Sequence, residues 1–158
     1  MLKRTVFFWL IALASMSANA AGVSAEQVLS RSCSTTKPGD KDYCPYPFDL
    51  LRTDSKFARS FKQFKEAANV DGLDGPQTPL TPVQVWGTKY LKSTGCEKHN
   101  CGANYYIFMY QPRTARMVGI HRIVDGGGTE RYIWLNNPLF EAEKDVLMSL
   151  MAEEFKRN

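Results

Sequence analysis

Histidine is scarce in this 158-residue chain: His99 and His121 are its only two. A closed structural zinc site wants four ligands in a tetrahedron. The sequence offers one local trio, Cys96, His99 and Cys101, with His121 far along the chain in a strand-like segment. Charge of one sign is not in excess either. A formal net charge of +4 is too small a surplus for a nucleic-acid surface. Apolar runs long enough to span a bilayer, about 20 residues, are missing, and there is no internal repeat or low-complexity tract. No Ser-His-Asp arrangement is visible, and no pair of carboxylates stands out for acid–base work. The one glycine run, Gly126-Gly127-Gly128, follows Asp125 and leads into another strand-like segment. Phosphate cradles open onto a helix N-terminus, so this run reads as a hairpin turn. Neither a metal, a cofactor nor a catalytic group is called for.

What is present begins with an export signal. Lys3 and Arg4 precede an apolar run from Val6 to Ala14, and Ala18-Asn19-Ala20 is a small-x-small ending. This is the three-part pattern of a secretory signal peptide, residues 1–20, cut after Ala20. The mature chain, residues 21–158, is then one domain with no membrane segment after signal removal. It loses the two signal charges, so its formal surplus is +2. The expected location is the periplasm, with full secretion as the alternative. Export bears on the four cysteines, Cys33, Cys44, Cys96 and Cys101. In an oxidising compartment an even number reads as disulfides. Four cysteines allow three pairings. The local one, Cys33–Cys44 and Cys96–Cys101, is the simplest and is expected.

Hydrophobic spacing supplies the fold class. Ser24-Ala25-Glu26-Gln27 has the form of a capping box opening a short helix. Residues 33–47, rich in Pro, Gly and Asp, read as a disulfide-tied loop. Phe57, Phe61, Phe64 and Ala68 then fall on one helical face, with Lys56, Arg59, Lys62 and Lys65 around the rest. Residues 72–82 read as a turn-rich linker. From Val83 onward, four aromatic and β-branched segments separated by turn residues predict antiparallel strands joined by hairpins. Asn137-Pro138 suits the start of a last helix with Leu147, Leu150 and Met151 facing inward. The prediction is an α+β domain: an antiparallel β-sheet meander flanked by helices.

The stretch Gly95-Cys96-Glu97-Lys98-His99-Asn100-Cys101-Gly102 joins two of the predicted strands, so it is a hairpin tip. A free thiolate beside His99 would suggest a thiol enzyme, but each loop cysteine has an obvious partner. Closing so short a loop contributes only about 2 kcal/mol to global stability. Its larger effect is local, because a tied loop loses little freedom on binding.

At this loop the sequence resembles the inhibitors of vertebrate lysozyme, the Ivy family of exported bacterial proteins. The family writes the hairpin C-K-P-H-D-C; here it is C-E-K-H-N-C. The likeness runs from about Thr81 to Met151 and takes in Met117-Val118-Gly119 and Trp134-Leu135-Asn136, whereas the region of Cys33 and Cys44 matches poorly. The resemblance implies an antiparallel sheet flanked by helices and no enzyme activity. It implies a partner, a c-type lysozyme, whose cleft the loop Cys96, Glu97, Lys98, His99, Asn100, Cys101 enters, with His99 against the two catalytic carboxyl groups. It leaves open whether the protein is a monomer or a homodimer. Three positions depart from the family pattern. Glu97 stands for a lysine, Lys98 for a proline and Asn100 for an aspartate. These departures admit an alternative reading, a non-inhibitory or immunity-type binding module for another cell-wall lytic enzyme or toxin.

Overall fold

The computed structural model describes residues 22–68, 75–136 and 140–156. The expected signal peptide, 1–20, lies outside the described residues, as do Asn137 and Pro138 at the expected start of the last helix. Among the described residues the order is α1 (Ala25–Ser30), α2 (Pro47–Thr53), α3 (Ser55–Ala68), β1 (Thr81–Val85), β2 (Thr88–Cys96), β3 (Asn104–Gln111), β4 (Arg116–Val124), β5 (Glu130–Leu135) and α4 (Glu141–Lys156). The strands pair in chain order, all antiparallel, as one five-stranded meander. This is the predicted α+β class, with helices on both faces of the sheet.

Strand β3 explains the two-sided packing. Its Tyr106, Phe108 and Tyr110 alternate with Ile107 and Met109, and all five are buried. The aromatic set faces α3, where Phe57 meets Tyr110 edge-on at 5.1 Å between centroids and Phe61 and Phe64 each lie 5.6 Å from Phe108. The aliphatic set joins Val118, Ile120, Leu147 and Met151 on the α4 face. Each buried Phe or Leu side chain contributes roughly 1.5–3 kcal/mol of transfer free energy, so β3 is the axis of the core. Gly119 permits the close fit of α3: a Cβ there would stand 2.6 Å from the Phe64 ring.

The predicted capping box is present: Ser24 N donates to Gln27 Oε1 at 2.8 Å and Gln27 N to Ser24 Oγ at 3.3 Å. Asp54 ties the helical layer together. Its Oδ1 accepts from Lys56 N and Phe57 N at the start of α3, and its Oδ2 accepts from Ala25 N at the start of α1.

Two expectations need correction. The stretch assigned wholly to a loop, 33–47, leads directly into α2, which sequence reading missed. Pro47 opens this helix, where its missing N–H costs nothing, and Asp49 Oδ2 accepts from Tyr46 N at 2.9 Å. The linker 72–82 is also less free than expected. β1 begins at Thr81, and Pro82 pairs opposite Leu91 on an edge strand, the position a sheet tolerates for proline. Before it, Thr78 N donates to Thr94 O at 3.0 Å and Cys96 N to Pro76 O at 3.3 Å, so residues 76–78 run along β2.

Candidate functional site: the Cys96–Cys101 loop

Strands β2 and β3 meet at the loop, and both expected disulfides are formed, Cys96–Cys101 and Cys33–Cys44. All four cysteines are bonded, so no thiol is left for nucleophilic chemistry. Among the described residues no group of three or more His, Cys, Asp or Glu side chains is placed to hold a metal.

The loop is two successive turns. Asn100 N donates to Glu97 O at 3.0 Å, closing a turn around Lys98 and His99. Ala103 N and Asn104 N then donate to Asn100 O at 3.1 and 2.9 Å. His99 takes the left-handed backbone conformation, φ +64°, which costs a non-glycine residue about 1 kcal/mol. Lys98, His99, Asn100 and Cys101 are exposed, Glu97 is half-buried and Cys96 is buried at the base. The six loop residues named from sequence thus form one hairpin end, and Lys98, His99, Asn100 and Cys101 are its exposed part.

Three groups that sequence reasoning missed hold this tip. Gly75 lies under its first leg, where a Cβ would stand 2.2 Å from Cys96 O and 2.7 Å from Lys98 N. Asn104 donates its side-chain amide to Glu97 Oε2 at 2.5 Å, beside a second donation from Asn100 Nδ2 at 2.7 Å. Arg122, on β4, donates to Gly102 O at 3.0 Å and to Glu130 Oε1 at 2.5 Å while its guanidinium stacks 4.0 Å from the Phe155 ring centroid. The loop's second leg is therefore bound to β4, β5 and α4 together. Only Asn104, three residues from Cys101, carried a local signal. Gly75 and Arg122 are near the loop through the fold alone.

Burial shapes the electrostatics beneath the loop. Gly95, Tyr106, His121 and Ile133 form one row across the sheet. His121 is 1% exposed, and neither ring nitrogen has a hydrogen-bond partner among the described residues. Burial pushes its pKa down, and the nearby Glu97 carboxylate opposes this only partly.

A cleft of about 730 Å³ is lined by Glu26, Lys89, Gln111 and Arg113 among others. The meander puts it at the β1–β2 and β3–β4 turns, the end of the sheet opposite the loop.

The family comparison bears on that tip. The family model described as Inhibitor of vertebrate lysozyme (Ivy) matches residues 60–132, just under half of the chain. Over that segment the chain is similar to the Ivy family. The match opens within α3 and ends within β5, so it contains the whole loop, Gly75, Asn104 and Arg122. No curated protein matches the chain. Ivy proteins are lysozyme inhibitors by the family's own description, which makes inhibition, not catalysis, the activity the family implies. No helix among the described residues is long and apolar enough to cross a membrane.

Proposed function

We propose that this protein is a periplasmic inhibitor of a c-type lysozyme, which protects peptidoglycan by inserting the 96–101 loop with His99 into the enzyme's cleft. The observation that carries the reading is the exposed His99 at the tip of a cross-linked, multiply braced loop inside the Ivy segment. A retaining glycosidase holds its acid and its nucleophile about 5 Å apart. One imidazole has two nitrogens on a rigid ring and reaches two oxygens at once. Hydrogen bonds from an imidazolium to carboxylates are charge-assisted and short. With both carboxyl groups occupied, the enzyme has neither proton donor nor nucleophile for the sugar. Lys98, exposed beside His99, adds attraction toward an acidic cleft. Export through the 1–20 signal would bring the protein to where lysozyme meets the cell wall.

The test is turnover of a c-type lysozyme on cell-wall substrate with the purified mature protein. His99→Ala is expected to weaken inhibition about 100-fold, the scale of a central interface anchor. Equal inhibition by wild type and His99→Ala would rule out insertion of His99. Absence of inhibition by the wild type would rule out the function.

A further inference from the structure

We infer that Glu97 is the positioning residue of the loop: its carboxylate, gripped by Asn100 and Asn104, sets the backbone that presents His99. The inference rests on the inhibitory reading of the loop and deepens it. A six-residue ring closed only by Cys96–Cys101 leaves residues 97–100 many conformations, and this ring contains no proline to restrict them. His99 nonetheless sits in the left-handed region, which persists only where the surroundings determine it several times over.

Glu97 supplies that determination. Its backbone N–H donates to Asn104 O at 3.1 Å across the base of the hairpin, and its carbonyl accepts from Asn100 N at 3.0 Å across the tip. Its Oε2 accepts from the amides of Asn100 at 2.7 Å and Asn104 at 2.5 Å. One residue therefore binds the position just after His99 and the first residue of β3. A carboxylate oxygen accepts two such donors at once, which a hydroxyl does less well and an aliphatic side chain cannot do.

The same geometry fixes what the tip displays. The Glu97 carboxylate is turned onto the two amides at the half-buried base, and Asn100 spends its amide on Glu97. Lys98 and His99 remain as the outward side chains, with no carboxylate turned toward the partner from the apex. A negative residue in an inhibitor of an acidic cleft would otherwise oppose binding; here it is built into the support of the histidine.

The experiment compares wild type, Glu97→Ala and Glu97→Gln by lysozyme inhibition and by amide NMR of the free protein. Gln keeps one oxygen able to accept from both amides. Glu97→Ala is expected to weaken inhibition at least about tenfold through lost preorganisation. The backbone signals of His99 and Asn100 and the side-chain amide signals of Asn100 and Asn104 should move toward unstructured values, while the global melting midpoint hardly changes. Glu97→Gln should stay close to wild type on every readout. Loop signals unchanged in Glu97→Ala, or Glu97→Gln as defective as Glu97→Ala, would overturn the inference. If the wild type failed to inhibit lysozyme, the inhibitory reading would fall, and the free-protein spectra would still decide whether Glu97 positions His99.

Discussion

Gly75 packs so closely under Cys96 that a Cβ on Gly75 would stand 2.2 Å from the Cys96 carbonyl oxygen. The neighbour is backbone and cannot swing aside. Gly75→Ala is therefore expected to push the first leg of the loop outward at a cost of about 1–3 kcal/mol. Chemical denaturation would measure that cost, and a lysozyme assay would register the displaced His99 as weakened inhibition. A variant with wild-type stability and potency would mean that the contact yields easily.

Removing the loop disulfide separates local order from global stability. Cys96→Ser with Cys101→Ser is expected to cost only about 2 kcal/mol of unfolding free energy, because the closed loop is short. Inhibition should fall by more than this implies, since the freed residues must be ordered on each binding event. The pair to compare is the unfolding midpoint and the dissociation rate from lysozyme. Dissociation as slow as the wild type's would show that the hydrogen bonds of Glu97 hold the loop unaided.

The anchor of α4 gives a third prediction. Glu143 is fully buried and accepts from Tyr90 Oη at 2.8 Å, from Arg116 Nη2 at 2.8 Å and from Arg116 Nη1. Burial pushes its carboxyl up, but the hydrogen bonds from Arg116 and Tyr90 outweigh this and hold it below the usual range. Tyr90 is pushed up to about 12 by burial and by the same carboxylate. Glu143→Ala strands the Tyr90 hydroxyl and an Arg116 side chain that is 23% exposed, so a loss of about 2–3 kcal/mol is expected. The lowered carboxyl contributes stability above its ordinary titration range, and that contribution disappears as pH falls through its folded value. Acid denaturation should therefore be shallower in Glu143→Ala than in the wild type.

His121 predicts a second pH dependence at higher pH. Burial lowers its folded pKa, so the unfolded chain takes up a proton first as pH falls. Its contribution is complete above about pH 6.5 and declines below it, at no more than about 1.4 kcal/mol per pH unit. Melting midpoints measured from about pH 7 down to about pH 5 should fall in the wild type and flatten in His121→Leu. Parallel slopes in the two proteins would mean that His121 does not titrate in this window.

Much of this was legible in the chain itself. The phenylalanines of α3 recur at helical spacing, and Phe57, Phe61 and Phe64 all reach the aromatic face of β3. Aromatic and β-branched enrichment marked β3 with its observed bounds, and the Asp125–Gly128 segment is the turn expected, with Asp125 Oδ1 accepting from Gly127 N and Thr129 N at 2.9 Å. Helix α2 was hidden because Pro47 was read as the end of a loop, when at a helix start proline serves the first turn.

Sequence alone marked the candidate site: a six-residue segment with a cysteine at each end between two strands, and one histidine within it. Local patterns suffice for that, since strand alternation, turn residues and cysteine spacing act over a few positions. Tertiary structure decided how the site is held. Gly75, Asn104 and Arg122 converge on the loop because the meander folds β4 against β3 and residues 76–78 against β2. Contacts between residues far apart in the chain leave no periodic trace, so only the folded chain brings Gly75 and Arg122 to the loop.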